Sequence, residues 1–321
     1  MKRILVLASI LIFSCSNDPQ NCDILIENGM IYDGTGDKPY KGVVAISNDK
    51  IIYVGKNKNF IADKVIDASD KAVSPGFINM LSWAYDTLMN DGRSLSDLKQ
   101  GVTLEVFGEG TSPGPSGNIE DNSYVSFGEA MQTLEDNGVS TNIASYLGAT
   151  TVRIQEIGYA NRKATDEEME SMRNIVKLAM EQGAIGIGSS LIYAPADYAD
   201  TNELIELSKV ASAYGGRYIS HMRNEDSRIL SAVDELIEIA EQANIPAEIY
   251  HLKASRQSNY HLLDSVISKV EEARSRGLEI TADMYTYTAS STGLTGVIPT
   301  WVQEGGREAW INRMKRPDIR K

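Results

Sequence analysis

The segments GRYISHMRNE (216–225) and AEIYHLKAS (247–255) each carry a short, β-like apolar run to a histidine, and these two histidines, His221 and His251, lie 30 residues apart. That interval is about one strand–helix–strand step of a parallel α/β fold. It predicts two imidazoles side by side on one rim, where their ring nitrogens can share a metal ion. The chain has three histidines in all, so the pairing is informative. Taken singly, each reads equally well as a hydrogen-bonded rim histidine.

Outward from this pair, apolar runs near 76–81, 103–107, 142–147, 185–189, 218–221, 248–251 and 279–284 alternate with amphipathic helical stretches. Seven such steps predict an α/β protein built on a (β/α)8, TIM-type barrel that lacks its last strand. Thr165 with Glu168, and Asp200 with Glu203, read as helix-capping pairs. After Trp301 one helical stretch, 306–314, remains before Lys321, so the expectation is the front part of a longer protein. Residues 23–74 differ: Asn28-Gly29, Asp33-Gly34 and Asn48-Asp49 punctuate Ile- and Val-rich runs, which predicts a small β-sandwich-type segment made of hairpins. The division expected is therefore 1–22, 23–74 and 75–321.

Lys2 and Arg3 followed by the apolar run 4–13 read as an export signal, too short to span a bilayer. Ile12-Phe13-Ser14-Cys15 resembles the lipobox of bacterial lipoproteins, which implies lipidation at Cys15 and a periplasmic or outer-membrane-anchored protein. Only Cys22 would then remain as a thiol, excluding an intramolecular disulfide. The chain of 321 residues is 42% hydrophobic and 23% charged, as expected of an ordinary globular protein. Its net charge of −13 argues against nucleic acid and anionic lipid as partners, leaving a lipid anchor as the one membrane contact expected.

The opening DILIENGMIYDGTG with VIDASDKAVSPGFINM resembles the amidohydrolase superfamily. The blocks GAIGIGSSLIYAPADYADTNEL, YISHMRNE, EIYHLKAS and ADMYTYTASSTGL look more narrowly like its N-acyl-D-amino-acid deacylase (D-aminoacylase) branch. The resemblance implies a metal-dependent hydrolase of N-acyl-D-amino acids or related exported amides, with His221 and His251 as metal ligands. It implies that Lys253, Tyr193, Tyr287, Ser290 and Ser291 shape the substrate pocket, and that Arg223 sits where its fork could take a carboxylate. The family's general base, an aspartate, would lie beyond Lys321.

The chain departs from that pattern at two ligand positions. Where the family carries His-x-His, Leu81 and Trp83 stand, neither able to bind a metal, and Trp83 becomes a candidate pocket wall. Where the family carries a ligand cysteine, the chain reads Gly108-Glu109-Gly110. Glu109 reads either as the replacement ligand or as a solvated loop carboxylate. A catalytic zinc needs about three protein ligands and an open position. His221, His251 and Glu109 would supply them for one zinc ion. Two other functions stay open: hydrolysis of a cyclic amide, and a catalytically impaired barrel lipoprotein acting as a binding module.

Overall fold

The Ile- and Val-rich runs near the start of the chain pair into a sheet in which the consecutive residues Val43, Val44 and Ala45 are all buried. The computed structural model describes residues 18–118 and 121–320. The export signal and Cys15 lie outside the described residues. The chain divides into two units between Gly76 and Phe77.

In the first unit, β1 (Gln20–Ile31), β2 (Tyr40–Ser47), β3 (Lys50–Gly55), β4 (Phe60–Asp67) and β5 (Ala72–Val73) form a five-stranded sheet. Its order is β3-β2-β1-β4, with β5 also on β1. Cys22, Leu25, Val43 and Ala45 are its buried centre. Two expectations are corrected. The unit is one mixed sheet rather than a sandwich of hairpins, because β4 and β5 return parallel to β1. Asn28-Gly29 is an irregularity within β1, with Asn28 at φ 66°, whereas Asn48-Asp49 does join the antiparallel β2 and β3.

The second unit follows the βα rhythm. Its strands are β6 (Phe77–Asn79), β7 (Val102–Phe107), β8 (Asn142–Ser145), β9 (Leu147–Gly148), β10 (Gly186–Ser190), β11 (Arg217–His221), β12 (Ala247–Ile249) and β13 (Ile280–Ala282). Every ladder among them is parallel. They form a three-stranded sheet, β6-β7-β8, and a five-stranded sheet, β13-β12-β11-β10-β9. The single strand expected over 142–147 is split at Tyr146. There the backbone changes partner: the Tyr146 N–H donates to Phe107 O (2.9 Å), while Ile185 N–H donates to Ser145 O (3.1 Å). No ladder among the described residues joins these two sheets or closes β13 onto β6, so the strands expected of an incomplete barrel form two separate parallel sheets.

Helices Asp166–Glu181, Thr201–Ala213, Ile229–Ala243 and Leu263–Ser275 cover the larger sheet. Their apolar residues recur at three-to-four spacing, as Val233, Leu236, Ala240 and Ala243 do, so one stripe of each helix is buried. Both predicted caps form: Thr165 Oγ1 accepts from Glu168 N–H (3.2 Å) and Asp200 Oδ1 from Glu203 N–H (2.9 Å). No helix of the described residues is long and apolar enough to cross a membrane.

Candidate metal centre

Parallel strands put their C-terminal ends on one rim, and residues at or just past the ends of three of them build the site. His221 is the last residue of β11, and His251 lies two residues past β12. His251 adopts φ 38°, a left-handed backbone unusual for a side chain of this size, and Asp283 Oδ1 holds its N–H at 2.6 Å. Glu109 comes after β7 on a tight loop. The loop needs its flanking glycines, Gly108 at φ 108° and Gly110 at φ 74°. A Cβ on Gly108 would collide with Tyr146 O, and one on Gly110 would meet Ser190 Cβ at 2.6 Å.

These three side chains converge. His221 Nδ1 is 2.8 Å from Glu109 Oε1, His251 Nε2 is 3.4 Å from the same oxygen, and the two ring nitrogens are 3.1 Å apart. All three residues are buried, at 8% exposure or less. Metal–ligand distances of about 2.0–2.1 Å at tetrahedral angles place neighbouring donors roughly 3.3 Å apart, and the observed separations bracket that value. Two imidazole nitrogens and one carboxylate oxygen are also the donor chemistry of a zinc-type site. The residues present fit a divalent cation.

Electrostatics favour charge at this point. Burial opposes ionisation of Glu109, but hydrogen bonds to His221 and His251 outweigh it and hold the carboxyl down at about 2. Burial likewise works against protonated His251, yet the Glu109 and Glu225 carboxylates raise it to about 9. Burial pushes Asp283 up to about 6, even though it accepts the His251 N–H.

Glu225, which sequence reasoning passed over, stands behind the histidines. Its Oε1 is 3.0 Å from His251 Nδ1 and 2.7 Å from Lys253 Nζ, and its Oε2 is 3.9 Å from His221 Nε2. The only signal in the sequence was its place four residues after His221. Glu105 was missed too. It is fully buried and accepts from the hydroxyls of Ser82 (2.8 Å), Thr141 (3.1 Å) and Ser94. By anchoring Ser82 it fixes the loop that carries the next residue, Trp83, whose indole N–H donates to Glu109 Oε2 at 2.8 Å.

The other candidates fall at different distances from this centre. Tyr193 packs edge-on against the His221 ring, centroids 5.5 Å apart, and its hydroxyl meets Thr292 at 2.7 Å. Lys253 Nζ lies 3.1 Å from His251 Nδ1 and over the Tyr285 ring. Tyr287 stacks on Tyr285 and is exposed, as are Ser290 and Ser291. Leu81 turns into the apolar cluster around Val106 and Tyr146, so it offers the centre nothing. Arg223 requires a correction: its fork is already held by Glu235 (2.8–3.2 Å) and by the carbonyls of Asp197 (3.0 Å) and Ala199 (2.9 Å). This pairing fixes the loop after β10 and leaves no bidentate face for a substrate carboxylate. His261 is exposed in a short turn of 3₁₀ helix, away from the cluster.

No protein-family model matches the chain. Among curated proteins it is 30% identical over 291 residues to a D-aminoacylase of Alcaligenes xylosoxydans xylosoxydans, covering 87% of this chain and 60% of that one. It is 28% identical to an N-acyl-D-glutamate deacylase of the same organism, covering 85% and 58%. Among solved structures, a D-aminoacylase described as defining a novel subset of amidohydrolases superposes with a TM-score of 0.74 at 27% identity, covering 84% of this chain and 59% of that one. The N-acyl-D-glutamate deacylase of Bordetella bronchiseptica, solved with zinc and a phosphonate inhibitor, gives 0.73 at 25%, covering 84% and 59%. The chain thus spans about 60% of the length of the curated relatives it matches.

Proposed function

We propose, on the premise that the chain belongs to the D-aminoacylase branch of the amidohydrolases, that it hydrolyses the amide bond of N-acyl-D-amino acids with a single divalent cation, zinc by preference. The observation that carries this reading is the convergence of Glu109 Oε1, His221 Nδ1 and His251 Nε2 in a buried recess. When bound there, such an ion supplies Lewis acidity toward an amide carbonyl and toward water. The rest of the work falls to side chains. Glu109 and the two histidines bind and desolvate the cation. Trp83 fixes Glu109 Oε2, so the carboxylate offers one oxygen to the ion. Lys253, beside His251 and ion-paired with Glu225 at 2.7 Å, would share its ammonium with the substrate's α-carboxylate, and Tyr285 and Tyr287 stack beside it.

The single-cation reading rests on Leu81 and Trp83, which carry no ligand atom, and on the Trp83–Glu109 bond. A related D-aminoacylase structure with a TM-score of 0.73 is described by one-metal activation and second-metal attenuation of a binuclear centre. The two parallel sheets are read as successive arcs of the barrel, in keeping with the superposition on D-aminoacylase. Lys2, Arg3, the apolar run and Cys15 support an exported, lipid-anchored protein, to be tested by radiolabelled palmitate incorporation that Cys15→Ala removes.

The test is release of free amine from N-acyl-D-amino acids, with the L-enantiomers and a cyclic imide in parallel, by zinc-loaded protein. D-selective turnover abolished by His251→Ala supports the reading. Turnover of the cyclic imide alone would move the assignment to cyclic amides, and retained zinc without turnover of either substrate would favour a binding module.

A further inference from the structure

The two ligand histidines lie between two carboxylates, and only one of these belongs to the cation site. His221 turns Nδ1 and His251 turns Nε2 toward Glu109, at 2.8 and 3.4 Å. Their remote nitrogens, His251 Nδ1 and His221 Nε2, both face Glu225, at 3.0 and 3.9 Å. The Glu225 side chain is nine-tenths buried, and Lys253 Nζ donates to it at 2.7 Å, keeping its charge compensated. His221 Nε2 is itself buried and has no hydrogen-bond partner among the described residues.

An imidazole can bind a cation through one nitrogen only if its proton sits on the other, and a carboxylate that accepts that proton fixes both the tautomer and the ring plane. We propose that Glu225 is the positioning residue of this centre: one carboxylate behind both ligand imidazoles, which orients His251 directly at 3.0 Å and faces the unpartnered Nε2 of His221 at 3.9 Å, beyond hydrogen-bond reach until the centre is occupied. This rests on the metal-centre reading above and assigns a role to a residue which that reading does not use. The alternative is physically distinct. Lys253 Nζ is 3.1 Å from His251 Nδ1, and if it donates there, the His251 proton sits on Nε2 and the ring cannot bind a cation. Lys253 also donates to Glu225 Oε1 and to His251 O at 3.3 Å, so the ammonium has other acceptors, whereas the Nδ1–H has Glu225.

Two measurements decide it. In ¹⁵N-labelled, zinc-loaded wild-type protein, long-range ¹H–¹⁵N spectra of the three histidines report which ring nitrogen carries the proton. The proposal expects Nε2–H for His221 and Nδ1–H for His251, and the opposite tautomer at either ring overturns it. In parallel, Co²⁺ titrations followed by visible absorption compare wild type with Glu225→Gln, which keeps the shape but loses the charge, and with Glu225→Asp. Loss of about 10–100-fold in Co²⁺ affinity in Glu225→Gln, partly restored in Glu225→Asp, is the expected result for an orienting carboxylate. Affinity within twofold of wild type in a folded Glu225→Gln protein overturns the proposal. Wild-type protein that takes up neither ion would instead overturn the metal-centre reading, a separate outcome. If Glu225→Gln does not fold, the wild-type tautomers alone decide between the two arrangements.

Discussion

Trp83 Nε1 lies 2.8 Å from Glu109 Oε2, and this bond joins the two positions at which the sequence departs from the motifs that the family resemblance implies. The indole thus fixes one oxygen of the carboxylate proposed as a cation ligand and leaves the other facing the two histidines. Trp83→Phe keeps the ring but removes the N–H, which frees Glu109 to rotate. A loss of about tenfold in zinc affinity is expected, the lower end for removing a partner of a metal ligand. Competition titration with a chromophoric chelator reads it, and unchanged affinity would mean that the indole is only a wall.

Glu109 itself distinguishes a ligand from a loop carboxylate. Glu109→Ala should leave less than about a tenth of an equivalent of zinc after metal-replete purification, since two histidines alone retain a metal poorly. Glu109→Cys, with a thiolate in reach, should recover a large part of it. Elemental analysis of both variants beside wild type checks the pair of outcomes.

Cation binding should release a proton from His251. The carboxylates around it raise its pKa to about 9, so below that pH the ring is protonated without a metal and must become neutral to bind one. Apparent affinity should rise with pH up to about 9, with about one proton released per ion at pH 7. Glu109, at about 2, adds nothing to this slope above pH 4. Calorimetry in buffers of different ionisation enthalpy measures the proton count, and a count near zero would show that His251 is neutral beforehand.

Away from the centre, Arg153 and Glu203 form a buried ion pair at 2.6 Å, with side chains 1% and 5% exposed. Arg153 also donates to the carbonyls of Ala160 and Arg162. Glu203→Ala strands a buried guanidinium and should destabilise the protein by about 3–5 kcal/mol. Chemical denaturation should detect it, and a change below about 1 kcal/mol would mean that water reaches Arg153.

The capping box at Thr165 offers a smaller, local effect. Thr165→Ala removes the acceptor for the Glu168 N–H and should cost about 1 kcal/mol. Thr165→Ser should cost little, which the same denaturation series would confirm.

Much of this was written locally in the sequence. The strands of the second unit, apart from the break at Tyr146, were legible because buried parallel strands read as short apolar runs between helical stripes, and the capping pairs because Thr165-x-x-Glu168 is a local signal. The pairing of His221 with His251 was legible from their spacing, since one βα step returns the chain to the same rim. The parallel return of β4 was not, because Ile- and Val-rich runs do not encode the direction of their neighbours. Arg223 was misread for a related reason: a sequence shows an available fork, while the Glu235 that occupies it comes from the next helix. Glu225 and Glu105 were invisible as isolated acidic residues, and only the fold gives them histidines and hydroxyls to face.

The most direct test of the central claim is an anomalous-difference map at the zinc edge from crystals of zinc-loaded protein. A single peak within about 2.3 Å of Glu109 Oε1, His221 Nδ1 and His251 Nε2 is predicted. No peak there, or a second one beside Leu81 and Trp83, would contradict it.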